Sequence, residues 1–186
     1  GFTAWYDRGD LPLEIRFLAE VNEVIEKADN FIFIVSPHSV RSEYCRRELE
    51  YALSLGKRII MLMHHQPDEA WDTMPDDVKK MSMIYIKKTD RYPELPGKEI
   101  IETICRQREY TEKHTRILLN ALTWQRQAQD PRLLLYGKER KAALAWTRAR
   151  FENETPPSRL TSLQKKFIDE SEKLQPIKQV AFFLQK

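Results

Sequence analysis

Five glycines and two cysteines are few for a chain of 186 residues. Cys45 and Cys105 alone make no disulfide framework, so the expected compartment is reducing and intracellular, and the expected localisation cytoplasmic. No Gly-x-Gly-x-x-Gly or Gly-Lys-Ser/Thr loop is present, which argues against a Rossmann dehydrogenase and a P-loop enzyme. No apolar run nears the roughly 20 residues that span a bilayer. The longest, around Arg58–Met63 and residues 180–184, are strand-length, and no signal-peptide pattern stands at the start, so no membrane association is expected. A large excess of charge of one sign is missing too: 31 basic against 28 acidic residues leave +3, and no nucleic-acid partner is expected. An initiator Met is also absent, and Gly1 opens directly onto a β-branched and aromatic stretch, from which the natural protein is expected to extend upstream.

What is present describes a folded interior. The chain is 41% hydrophobic and 10% aromatic, while its 32% charged residues are mixed in sign and suit a solvated surface. Residues 1–98 carry 14 Lys and Arg against 17 Asp and Glu, and residues 99–186 carry 17 against 11. The basic half is the tail, where the charges read as solvated faces of helices.

Short apolar runs alternate with helical patterns in the first half. Residues 2–6 form a candidate strand, followed by Leu13, Phe17, Leu18, Val21, Val24, Ile25 and Ala28 at helical spacing. Residues 31–35, 58–63 and 83–86 are further strands, and a helix over about 42–55 stops at Gly56. Strands apolar along their length, separated by helix-length segments, predict a doubly wound α/β domain with a parallel sheet covered on both faces. Beyond 98 the character turns helical: about 100–127, then 133–151, then 160–174, punctuated by Pro131, Pro156, Pro157 and Pro176. Trp124 and Trp146 sit among Leu and Ala at helical spacing and read as packing residues.

Winding residues 42–55 at about 100° per residue puts Tyr44, Glu48, Tyr51 and Leu55 on one strip, with Cys45, Leu49 and Ala52 beside it. Glu48 is the one charge within that apolar and aromatic arc. An inward carboxylate must be paired, desolvated, or set at a cleft where a ligand meets it. Its helix follows the carboxyl end of a strand, where ligands of open α/β sheets gather. The structural alternative is that Glu48 pairs with an Arg or accepts hydrogen bonds from a loop.

The run Trp5-Tyr6-Asp7, then residues 28–37 ending in Val35-Ser36-Pro37, then Ser39-Val40-x-Ser42-x-Tyr44-Cys45-x-x-Glu48-Leu49, then residues 56–60, resembles a TIR (Toll/interleukin-1 receptor) domain of bacterial type. The resemblance covers residues 1–98; residues 99–186 resemble the helical segment that follows TIR domains in bacterial multidomain signalling proteins. It implies a flavodoxin-like parallel sheet with helices on both faces, plus an α-helical C-terminal extension. It also implies cleavage of NAD+ between nicotinamide and ribose, in bacterial signalling or immune defence, with NAD+ as substrate and no cofactor or metal required. Glu48 matches the family's essential Glu and Tyr44 the pocket aromatic. By the same resemblance Trp5, Asp7, Gly9, Asp10 and Leu11 belong to the strand end and gating loop, while Ser36, Ser39, Ser42 and Cys45 line the cleft. Each Asp also reads as a turn or cap residue, and each Ser as a helix cap. Partners implied are other TIR domains, in a homo-oligomer, and a downstream signalling module.

The family's first strand and helix have no counterpart here. A rival reading is a TIR scaffold that assembles without catalysis and relays a signal through its helical tail. A receiver domain would need an Asp after the strand ending at Val35, where Ser36 stands. The His64-His65 pair with Asp68 reads as surface, and Cys45 as core, since no His pairs with it at a recognisable spacing.

Overall fold

The computed structural model describes residues 3–5, 15–66, 69–88, 93–151 and 156–174. Helix α1 (Ile15–Lys27) leads into β1 (Asn30–Val35), then α2 (Pro37–Arg41), α3 (Glu43–Ser54) and β2 (Arg58–Met63). A 3-10 turn and α4 (Asp76–Lys79) precede β3 (Met83–Tyr85), and β4 (Lys87–Lys88) pairs antiparallel with β5 (Pro93–Glu94). Four helices follow: α5 (Gly97–Cys105), α6 (Arg108–Arg126), α7 (Gly137–Thr147) and α8 (Ser162–Lys173).

Strands β1, β2 and β3 form a parallel sheet in that order, with Phe33 opposite Met61 and Leu62 opposite Ile84. One face is covered across the sheet and the other over β2 and β3, which accounts for apolar residues on both. On one, Phe33, Val35, Met61 and Met63 pack with Val40 and Leu49 of α2 and α3, and with Met74 and Val78. On the other, Ile60, Leu62 and Ile84 meet Ile100 and Ile104 of α5. This is the α/β, flavodoxin-like arrangement expected. Ile32 and Ile34 of β1 stand 42% and 52% exposed on the α5 side.

Two readings of the sequence need correction. The strand expected over residues 2–6 is not seen: Thr3, Ala4 and Trp5 belong to no strand, and Phe2 and Tyr6 lie outside the described residues. β propensity fits a residue to a pleated surface but does not supply a neighbouring strand. The helix read as continuous over about 100–127 is two helices, broken where Gln107 adopts the left-handed conformation at φ 53°. That break turns α5 onto the sheet and α6 onto α1, a change of direction that apolar periodicity does not reveal.

Helices α6, α7 and α8 share a core in which Trp124, Trp146 and Phe167 are buried with Ile117, Leu135 and Ile168. The Trp146 indole N–H donates to the Tyr110 carbonyl at 3.2 Å. Leu118 and Leu122 of α6 then pack with Val21 and Ile25 of α1 and with Ala52 and Leu55 of α3, so the helical tail and the sheet domain share apolar contacts.

Their junction is the corner Gly56-Lys57-Arg58. Gly56 has φ +65°, and a Cβ added there would lie 2.1 Å from the Arg159 carbonyl oxygen. Its own carbonyl accepts from the Arg159 N–H at 2.8 Å. The buried Lys57 ammonium donates to the carbonyls of Glu26 at 2.6 Å and Ala28 at 2.7 Å, satisfying the end of α1. Arg58 does the same for α5, donating to the carbonyls of Thr103 at 2.9 Å, Ile104 at 3.2 Å and Arg106 at 2.5 Å. His114 of α6 is fully buried and donates through Nε2 to the Arg159 carbonyl at 3.0 Å. Its Nδ1 is buried without a hydrogen-bond partner among the described residues. Burial, with the nearby Lys57 charge, pushes the imidazole down to about 4 against the pull of the Arg159 bond.

Two outcomes follow from this corner. Gly56→Ala adds a strained left-handed residue and a backbone collision, and its urea unfolding midpoint is expected to fall by the equivalent of about 2–4 kcal/mol. An unchanged midpoint would contradict the close approach to Arg159. His114 is neutral when folded, whereas the unfolded chain protonates it near pH 6.5. Its contribution is complete above that pH and is lost as pH falls toward 4, by roughly 3 kcal/mol in all. Urea midpoints at pH 7 and pH 4.5 should therefore drop less in His114→Gln than in the wild-type protein.

Candidate functional site

Local chemistry explains how the site elements begin. β1 ends at Val35, and Ser36 in extended backbone caps α2: its Oγ accepts from the Ser39 N–H at 3.1 Å. The Ser36 N–H in return donates to Ser39 Oγ at 2.9 Å, a reciprocal capping box. Pro37 at the first helical position suits α2, because it lacks the N–H that a helix start would otherwise leave unpaired. Ser42 closes α2 with its N–H to the His38 carbonyl and opens α3 with its Oγ, which accepts from the Cys45 N–H at 3.3 Å. Ser36, Ser39 and Ser42 are half-buried, and each hydroxyl is engaged in capping.

Helix α3 presents two inward strips. Cys45, Leu49 and Leu53 pack toward the sheet with Val40 and Met61. Tyr44, Tyr51 and Leu55 pack toward α1 and α6, with Val21, Ile25 and Leu118. Glu48 lies one turn after Tyr44 on the second strip and is half-buried, with its Oε1 shielded from solvent, as is the Tyr44 phenolic oxygen. Cys45 is a free, half-buried thiol that packs in the core, and Cys105 is free and exposed.

The carboxyl edge of the sheet lies beside this helix pair. The backbone N–H groups of His64 and His65 both donate to the Val35 carbonyl, at 3.0 and 3.2 Å. These two residues therefore stand next to Ser36, with His65 exposed and their Nδ1 atoms 2.7 Å apart. Among the described residues, no group of three or more His, Cys, Asp or Glu side chains could hold a metal ion. A cavity of about 220 Å³ lies elsewhere, between Arg116, Ile117 and Asn120 of α6 and Leu135, Ala142 and Ala143.

Of the residues singled out by sequence, the structure gathers Ser36, Ser39, Ser42, Tyr44, Cys45 and Glu48 on α2, α3 and their caps. Trp5 is 51% exposed in a segment outside the sheet. Asp7, Gly9, Asp10 and Leu11 lie outside the described residues.

Sequence reasoning missed a charged cluster behind the strip. Glu26 of α1 is 2% exposed, and its Oε1 accepts from the Tyr51 hydroxyl at 2.5 Å and from Arg126 of α6 at 2.7 Å. Burial alone would raise this carboxyl, but the bonds from Arg126 and Tyr51 overcome it and leave it below its ordinary value. Burial and the bond to Glu26 push the Tyr51 phenol up to about 12. Burial pulls the Lys57 ammonium down to about 8. Periodicity gave no signal for it: at about 100° per residue Glu26 falls well outside the face shared by Val21, Val24, Ile25 and Ala28.

A family model described as "TIR domain" matches residues 1–95. Neither the curated proteins nor the solved structures contain a match to this chain. The matched span holds the parallel sheet, the capped helix pair and the Tyr44–Glu48 strip, and it covers just over half of the 186 residues: the chain belongs to the TIR-domain family.

Proposed function

We propose that this TIR domain cleaves NAD+ at the bond between nicotinamide and ribose, with Glu48 as the carboxylate that meets the sugar. The observation that carries the reading is the placement of Glu48: half-buried on the inward strip of α3, one turn from Tyr44, with Oε1 shielded from water. A carboxylate held out of bulk solvent acts more strongly on charge developing nearby than one in water.

The chemistry asks little more of the protein. As the glycosidic bond stretches, its electron pair moves to the nicotinamide ring nitrogen, and the ribose carbon takes on positive charge. Nicotinamide leaves a cationic ring as a neutral molecule, so no general acid has to protonate it. Glu48 would hold the ribose hydroxyls and offset the charge on the sugar, while Tyr44 would flank it. Water then bonds to the ribose carbon and releases one proton to solvent, giving ADP-ribose; attack by a group of the same nucleotide would instead give a cyclised product. Ser36, Ser39 and Ser42 would shape the cleft mainly by capping α2 and α3. Association with other TIR domains, and relay to a downstream module, complete the reading.

Incubation with NAD+ and chromatography of released nicotinamide tests it. The wild-type protein at concentrations that favour assembly should release nicotinamide. Glu48→Gln and Glu48→Ala should lose at least about 100-fold in rate, with far-UV circular dichroism unchanged. Equal turnover by wild type and Glu48→Gln overturns the assignment. An assembled wild-type protein that releases none leaves the non-catalytic scaffold.

A further inference from the structure

Three helices meet at one buried carboxylate. Glu26 sits in the last turn of α1, Tyr51 in the third turn of α3, and Arg126 is the final residue of α6. The Glu26 side chain is 3% exposed, whereas that of Arg126 is 58% exposed, so the guanidinium reaches inward from a solvated stem. The two bonds to Oε1, 2.5 Å from Tyr51 and 2.7 Å from Arg126, converge on a single oxygen. A carboxylate this deep needs its charge compensated; without Arg126 it would lose its ion pair and keep only the phenol and the more distant Lys57 ammonium.

Tyr51 lies three residues after Glu48 on the same strip of α3, so whatever fixes the Tyr51 ring fixes the rotation of the helix that carries Glu48. Helix α3 is joined to its surroundings on two sides. The strip bearing Cys45, Leu49 and Leu53 is anchored by the sheet through apolar contacts, which tolerate small rotations. The strip bearing Glu48 has a directional hydrogen bond at Tyr51, which does not. The charge that compensates the acceptor of that bond comes from Arg126 on α6 of the helical tail, 100 residues from Glu26 along the chain.

We infer that Arg126 is a positioning residue: through Glu26 and Tyr51, the helical tail sets the orientation of α3 and thereby of Glu48. This rests on the NAD+-cleaving role of Glu48 for its kinetic consequence, and on the geometry alone for its effect on α3. The tail is then part of the site's support, and a displacement of α6 would be felt at Glu48 without α6 touching substrate.

The experiment compares wild type, Arg126→Met, Arg126→Lys and the pair Glu26→Gln with and without Arg126→Met. Nicotinamide release and amide hydrogen exchange are measured on each. Arg126→Met should lower kcat by about tenfold with KM within about twofold, and speed exchange in residues 43–54 while leaving the cores of α7 and α8 at wild-type rates. Arg126→Lys, which keeps the charge, should recover most of kcat. In the Glu26→Gln background, where no buried charge needs a partner, adding Arg126→Met should change little. Wild-type kcat in Arg126→Met, or exchange that rises evenly across all helices, overturns the inference. Should the wild-type protein release no nicotinamide, the role of Glu48 fails by itself, and the exchange comparison still decides whether Arg126 holds α3.

Discussion

The Lys57 ammonium, buried between the end of α1 and the Thr115 hydroxyl of α6 at 3.4 Å, is the centre of the corner that joins the two halves of the molecule. It cannot be solvated where it lies, so the Glu26 and Ala28 carbonyls must come to it, and with them the last turn of α1. One residue earlier, Gly56 leaves room for the Arg159 carbonyl; one residue later, Arg58 gathers the last carbonyls of α5. Three consecutive residues thereby fix a connecting segment of the tail and the ends of two helices against β2. Apolar packing of Leu118 and Leu122 on α1 supplies attraction without direction, and the corner supplies the register.

That arrangement places the candidate site between two kinds of restraint. Ser36 and Ser42 determine where α2 and α3 start, as local caps do, and the sheet sets how closely α3 approaches. The Tyr51–Glu26–Arg126 cluster adds a polar restraint on the side of α3 away from the sheet, at Tyr51 of the strip that carries Glu48. A carboxylate acting on a cationic transition state must keep its position to a fraction of an ångström, so a helix held on both sides suits the role proposed for it.

Much of the sheet domain was legible in advance. Residues 31–35 and 59–63 are apolar without interruption, the mark of strands in a covered sheet; β2 is the middle strand of the three, and β1 lies beside it with Phe33 and Val35 buried. Gly56 marked the end of α3 because its left-handed backbone is the usual stop. The strip of Tyr44, Glu48 and Tyr51 came from helical periodicity alone, and the structure turns it inward. The strand expected at residues 2–6 was misread because a β-rich composition does not say whether a partner strand is in reach.

Local pattern by itself determined strands β1 and β2, the helical character of α3, the caps at Ser36 and Ser42, and the strip that Glu48 shares with Tyr44 and Tyr51, because each is settled within one or two turns of backbone. Tertiary structure alone decided that Glu26, Lys57 and Arg58 are buried, that the chain turns at Gln107, and that Arg126 meets a carboxylate 100 residues away. Those outcomes depend on which surfaces exclude water together, and a buried charge takes its partner from whatever the fold brings near it, a relation that spacing along the chain does not record.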